Sequence, residues 1–136
     1  MLTPKEARQL WVEALVSGKY LQGQGWLCVV KGSSRNRKYC CLGVACELYQ
    51  EYVGGLVVTQ VPNNRENNTD TVYLYDYYAA ILPDVVQDWL GLATNLGQYS
   101  VDCNLSYDND EGVPFEDIAA TILAEPRGLI RGTLTE

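Results

Sequence analysis

Histidine does not occur anywhere in the 136 residues. Its absence removes the base from every Ser–His and Cys–His nucleophilic dyad. It also excludes the His-containing zinc sites of hydrolases and deaminases. The five cysteines, Cys28, Cys40, Cys41, Cys46 and Cys103, contain no C-x-x-C pair, the usual clip of a structural zinc site. No structural metal and no cofactor are expected. There is no G-x-x-x-x-G-K-[ST] loop. Gly23-x-Gly25 lacks the third glycine of the dinucleotide fingerprint and precedes a strand where that fingerprint needs a helix, so both nucleotide folds are set aside. No run of about 18 apolar residues exists, so no membrane span is expected. Met1 to Glu6 shows no basic segment followed by an apolar run, and no signal peptide is expected. Cations are also scarce: ten Lys and Arg stand against 17 Asp and Glu, for a net charge of -7. Such a chain lacks the basic field that displaces counterions from phosphates, and direct nucleic-acid binding is not expected. Dense carboxylate rows, which a DNA mimic needs, are absent too. In a reducing compartment the five thiols are most simply free.

What remains is an ordinary globular composition, 47% hydrophobic and 20% charged, suited to one domain over residues 1–136. Thr3, Pro4 and Glu6 form a T-x-x-E capping box, and Ala7, Leu10, Trp11, Ala14 and Leu15 give the first helix an apolar face that ends at Ser17-Gly18. Lys19 to Gly25 reads as a polar loop, Trp26 to Val30 as a strand and Lys31 to Lys38 as a polar, basic turn. A second helix begins near Cys40 and buries Leu42, Ala45, Cys46 and Tyr49, despite Gly43 in its interior. Leu56–Val61 and Thr71–Tyr75 read as two antiparallel strands around a mobile loop from Pro62 to Asp70. Pro83 opens a short helix through Trp89-Leu90. Residues 95–110 fit either an irregular strand or a short helix. Phe115, Ile118, Ala119, Ile122 and Leu123 mark a last helix, with a frayed or extended tail after Gly128. Strands and helices are interspersed without βαβ units. The expected fold class is α+β, a small antiparallel sheet packed against three to four helices, with Trp11, Leu15, Leu42, Cys46, Trp89, Phe115, Ile118 and Ile122 buried.

Several blocks occur in a distinctive order. Trp11-Val12-Glu13-Ala14-Leu15 precedes Ser17-Gly18-Lys19-Tyr20 and Gln22-Gly23-x-Gly25. Tyr39-Cys40-Cys41-Leu42-Gly43-Val44-x-Cys46 follows, then Leu82-Pro83 with Gln87-x-Trp89-Leu90-Gly91-Leu92, and last Asn109-Asp110-x-Gly112-x-x-Phe115-x-x-Ile118-Ala119. This order resembles a widespread group of small uncharacterised proteins carried by phages and prophages. The resemblance implies a phage accessory role and no particular activity. Two positions depart from the group's pattern. Pro114 stands where Ser usually precedes the Phe, so the last helix must be started by another route. Asn104 to Asp108 is more polar than the helical stretch usual there.

The best candidate site is the basic turn. Lys31, Arg35, Arg37 and Lys38 hold four of the ten basic residues within eight positions. Arg forks, loop N–H groups and a helix N-terminus at Cys40 suit a phosphate or carboxylate. Tyr20, Trp26 and Tyr39 are close in sequence and could stack a base. The competing account is a solvated turn whose charges only aid solubility. Cys40, at a helix N-terminus beside Lys38, is placed where a thiolate would be stabilised, although a packed thiol is the favoured reading, and Cys28 and Cys46 read as small buried hydrophobes. Asp108 to Gly112 has the wrong spacing for a calcium loop and reads as a turn, with Asn109 and Asp110 capping the last helix or fixing the loop. Tyr73, Tyr75, Tyr77 and Tyr78 form a cluster that suits a half-buried or binding surface, and a homo-oligomer contact explains it equally well.

The candidate ligand-binding set is therefore Tyr20, Gln22, Arg35, Arg37, Lys38, Tyr39, Cys40, Asn109 and Asp110, with no catalytic residue assigned. The expected function is a counter-defence protein in the cytoplasm of an infected bacterial host. It would capture a small anionic molecule, such as a nucleotide immune signal. Two alternatives stand beside it: an interaction protein that blocks a host enzyme, and an enzyme without histidine acting on a nucleotide.

Overall fold

The computed structural model describes residues 2–32, 34–63 and 69–132. Its elements run α1 (Pro4–Val16), β1 (Leu21–Gln22), β2 (Cys28–Val30), β3 (Arg37–Tyr39), α2 (Cys41–Tyr52), β4 (Val58–Asn63), β5 (Asp70–Tyr75), α3 (Asp84–Leu90), β6 (Gln98–Ser100), β7 (Cys103–Asn104), α4 (Leu105–Asp110) and α5 (Phe115–Ala124). The main sheet has the order β1-β3-β2-β5-β4, and β6 pairs with β7 apart from it. This is the expected α+β arrangement. The sheet is mixed, because β1 runs parallel to β3 while the other pairings are antiparallel. No helix is long and apolar enough to cross a membrane among the described residues.

Local chemistry starts α1 as anticipated. Thr3 Oγ1 accepts from the Glu6 N–H at 3.1 Å, and the Glu6 carboxylate accepts from the Thr3 N–H at 2.8 Å. Its buried face is rotated from the expected one: Arg8 and Val12 join Ala7, Trp11 and Leu15, while Leu10 and Ala14 are only half-buried. Arg8 tolerates burial because its guanidinium donates to the Leu90 carbonyl at 2.8 Å, at the end of α3, and faces Glu125 at 3.6 Å. Trp11 carries its indole N–H to the Cys41 carbonyl at 2.9 Å and so ties α1 to α2.

The strands are shorter or shifted against the sequence reading. The first covers only Cys28–Val30, and Leu21-Gln22 within the expected loop pairs beside Lys38 and Tyr39. The basic segment is not all turn, since Arg37 and Lys38 belong to β3. The hairpin of β4 and β5 is as expected, and the core of its loop, 64–68, lies outside the described residues. Residues 95–110 contain both of the alternatives, a two-strand ladder followed by α4. Pro83 and Pro114 occupy N-cap positions one residue before their helices. The tail is docked rather than frayed through Gly132: Leu129 is fully buried, its carbonyl accepts from Ala93, and the Arg131 N–H reaches the Gly91 carbonyl.

The core lies between the helices and one sheet face, and seven of the eight residues expected inside are buried. Trp89 is half-buried and meets Tyr49 edge to face, with ring centroids 5.5 Å apart. Helix α2 crosses the sheet so closely that a Cβ on Gly43 would lie 1.7 Å from the Leu27 carbonyl oxygen. Only glycine permits that approach.

All five thiols are free, and four are buried. Burial pushes Cys28 up to about 11 and Cys40 up to about 12, and raises Cys41 and Cys46 as well. Because the folded chain disfavours these thiolates, their contribution to stability is whole below the ordinary thiol pKa of about 8.5. It is lost as pH rises from there toward 11–12. Denaturant midpoints measured at pH 8 and pH 10.5 should therefore fall with pH. Iodoacetamide at pH 8 should label Cys103, which is half-exposed, well before the other four. A flat midpoint, or equal labelling of all five, would contradict this picture.

Candidate functional site

Period-two alternation decides which basic residues meet. Arg37 and Tyr39 lie on the face of β3 that looks toward α2, and Lys38 between them lies on the other face. Across the sheet Tyr39 pairs with Cys28, and Cys28 with Tyr73. The Arg37 guanidinium stacks over the Tyr73 ring at 4.6 Å. Tyr73 and Tyr75 are buried, so the four-tyrosine cluster is not one surface; only Tyr77 and Tyr78, in the turn after β5, are exposed.

A cleft of about 660 Å³ opens between this strand and the outer face of α2. One wall carries Lys19, Arg35 and Arg37. The opposite wall carries Glu47, Gln50 and Glu51, which share one helical stripe. Tyr20 and Tyr39 line it between them and meet edge to face, 5.3 Å apart at 89°. The Lys19 ammonium sits 5.5 Å from the Tyr20 ring. None of the three cations is ion-paired with a described carboxylate. Gln50 is occupied on both ends by the Leu56 backbone, at 3.1 and 2.9 Å. Glu47 accepts from the Tyr75 hydroxyl at 2.6 Å. Burial first, and then the two carboxylates, raise the Tyr20 phenol; burial and then Glu47 raise Tyr39. Both remain protonated donors at neutral pH.

The structure thus brings together Tyr20, Arg35, Arg37 and Tyr39 of the expected set. Lys31, also in the basic turn, is turned away and pairs with Asp70 at 3.4 Å. Trp26 does not line the cleft. Cys40 does stand at the N-terminus of α2, where its side chain makes no capping hydrogen bond, and burial outweighs the favourable Gly43 and Leu42 N–H groups, so the thiol is pushed up, not down. Lys19, Glu47 and Glu51 line the cleft without standing in the set expected from the sequence. The polar stripe at 47, 50 and 51, opposite the apolar face of the same helix, is the signal that could have found three of the cleft residues.

Gln22, Asn109 and Asp110 form a different constellation. Asn109 is fully buried. Its Oδ1 accepts from the Cys41 N–H at 3.1 Å and from the Gln22 amide at 3.0 Å, and its Nδ2 donates to the Gly23 carbonyl at 2.7 Å. Gln22 also donates to the Val113 carbonyl at 2.7 Å, and its Oε1 accepts from the Phe115 N–H at 3.0 Å. Asp110 accepts from the Gly25 N–H at 2.8 Å. Asn109 therefore caps α2, not the last helix, and Gln22 starts α5 where Pro114 offers no side-chain oxygen. Gly23 is needed here, since a Cβ would come within 2.8 Å of the Lys38 Cβ.

The sequence matches the family described as Domain of unknown function (DUF8296) over residues 4–125. The chain belongs to the DUF8296 family. No curated protein and no solved structure matches it. The match spans every helix and strand among the described residues of the DUF8296 chain and includes both the cleft and the Gln22–Asn109 web.

Proposed function

We propose that the cleft binds a small anionic ligand, and that the chain is a phage accessory protein that sequesters such a molecule, a nucleotide signal of host immunity. The observation that carries the reading is the convergence of three cations free of carboxylate partners with two tyrosines on one cleft, in a chain of net charge -7. Guanidinium forks give directed, charge-assisted bonds to phosphate, and tyrosine faces accept a base. The volume falls in the range of small-molecule sites, about 300–1,000 Å³. The phage origin rests on the resemblance of the sequence blocks, and sequestration rests on the binding chemistry of the cleft.

Arg35→Ala is the clean test. Arg35 is exposed and makes no hydrogen bond or ion pair among the described residues, so its loss should change stability by less than about 0.5 kcal/mol. Removing an Arg–phosphate contact should cost about 2 kcal/mol, roughly 30-fold in Kd. Arg37→Ala should weaken binding similarly and also lose its stacking on Tyr73, about 0.5–1 kcal/mol of stability. Calorimetry against nucleotides and cyclic nucleotides at two salt concentrations measures both. If wild type binds none of them, or Arg35→Ala binds as well as wild type, the cleft is not an anion site.

A second reading, an interaction protein that blocks a host enzyme, is favoured by one surface. An apolar groove of about 860 Å³ is lined by Tyr49, Tyr52, Val53, Val85 and Trp89, with Tyr52 and Val53 about half exposed. Native mass spectrometry of fresh protein separates the two, since a sponge retains a small molecule and an inhibitor retains a protein.

A further inference from the structure

The cleft has a second charged wall, and an anion alone does not explain it. We infer that Glu47 reads the base of a nucleotide and selects guanine. The inference rests on the anion reading above, with phosphate on the Lys19, Arg35 and Arg37 side.

Opposite charges face each other across the cleft without closing into ion pairs. An occupant that is anionic at one end and rich in N–H donors at the other satisfies both walls. Nucleotides have that polarity, and the tyrosines between the walls suit the ring in the middle.

Glu47 is better placed than Glu51 to discriminate. It is half-buried, and the fully buried Tyr75 holds one of its oxygens at 2.6 Å. Burial keeps the Tyr75 phenol protonated, so this bond persists at neutral pH. A carboxylate oxygen accepts more than one bond, so both oxygens stay open to a ligand from a fixed orientation. Two parallel N–H donors match such a carboxylate. On its Watson–Crick edge guanine offers N1–H beside the N2 amino group. Adenine sets one amino group beside the N1 lone pair, cytosine sets one beside N3, and uracil flanks N3–H with two carbonyls. Each of these three turns an acceptor toward the carboxylate. Sites built on buried polar groups reject analogues that leave them unpaired.

Calorimetry on the full chain with GMP, IMP, AMP, CMP and UMP tests this. GMP should bind at least about tenfold tighter than AMP, CMP or UMP, with IMP, which lacks the 2-amino group, in between. Glu47→Gln keeps an oxygen for the Tyr75 hydroxyl and should melt near wild type. It should lose most of the preference for GMP while AMP binding changes little. Arg35→Ala should weaken all the nucleotides by a similar factor and keep the preference. Tyr75→Phe frees the carboxylate and should blunt the GMP-to-AMP ratio without removing it. If nucleotides bind and Arg35→Ala weakens them, but AMP equals GMP or Glu47→Gln keeps the preference, the base assignment falls and the anion site stands. If no nucleotide binds, both fall together.

Discussion

Replacing Gly43 by alanine should leave little folded protein. On helix propensity alone the change is favourable by about 0.8–1.0 kcal/mol, because alanine is the better helix former. Packing reverses the sign. The new Cβ would sit 1.7 Å from the Leu27 carbonyl oxygen and 2.7 Å from its carbon. Both are backbone atoms beside strand β2, so no rotamer change relieves the contact. Helix and sheet must separate, which opens the core around Leu27, Leu42 and Cys46. Overpacking usually costs about 1–3 kcal/mol where side chains can yield, and here nothing yields, so more than about 3 kcal/mol is expected. Against a typical total of about 5–15 kcal/mol that is a large share. Denaturant titration followed by circular dichroism measures it. A Gly43→Ala protein within about 0.5 kcal/mol of wild type would show that α2 does not pack as described.

Asn109→Ala should be the next most damaging substitution. It leaves the Cys41 N–H and the Gly23 carbonyl buried without partners, and takes one of the acceptors from the Gln22 amide. An unsatisfied buried group costs about 1–3 kcal/mol, so the expected loss is about 3 kcal/mol or more. Asn109→Asp keeps the acceptor but turns a second oxygen toward the Gly23 carbonyl and buries a charge, so it should do no better. Hydrogen exchange gives a sharper readout, because the first amides of α2 should lose protection before those of α1. Equal protection in wild type and Asn109→Ala would refute the capping role.

What could be read from the sequence divides by range. The capping box of α1, the apolar spacing of α2 and α5 and the β4–β5 hairpin are local signals, and each element formed near its expected place. The parallel pairing of Leu21-Gln22 with β3 has no local signature, since two residues carry no periodicity. As part of a turn, the segment gives Arg37 and Lys38 the same standing. Once it is a strand, alternation separates them. Asn109 and Gln22 stand in the candidate ligand-binding set, with a cap of the last helix or a fixed loop as the other reading of Asn109. Their partners lie 68 to 93 positions away, beyond any spacing rule. Gly43 looked like a tolerated defect in a helix, and its reason is the backbone of Leu27. Glu47 and Glu51 were visible as charges but not as one wall of a cleft, because the other wall comes from a different element.

The long reach of Asn109 also has a consequence in time. A ribosome delivers residue 41 before the residue that caps it, 68 positions later. At about 5–20 residues per second, roughly 3–14 s pass before Asn109 is even polymerised. Through that interval the start of α2 lacks its final hydrogen-bond partner, and Cys40 and Cys41 are closer to ordinary thiols than to the inert ones of the finished fold. An oxidant or alkylating agent would therefore trap the nascent chain at positions that the mature protein keeps out of reach.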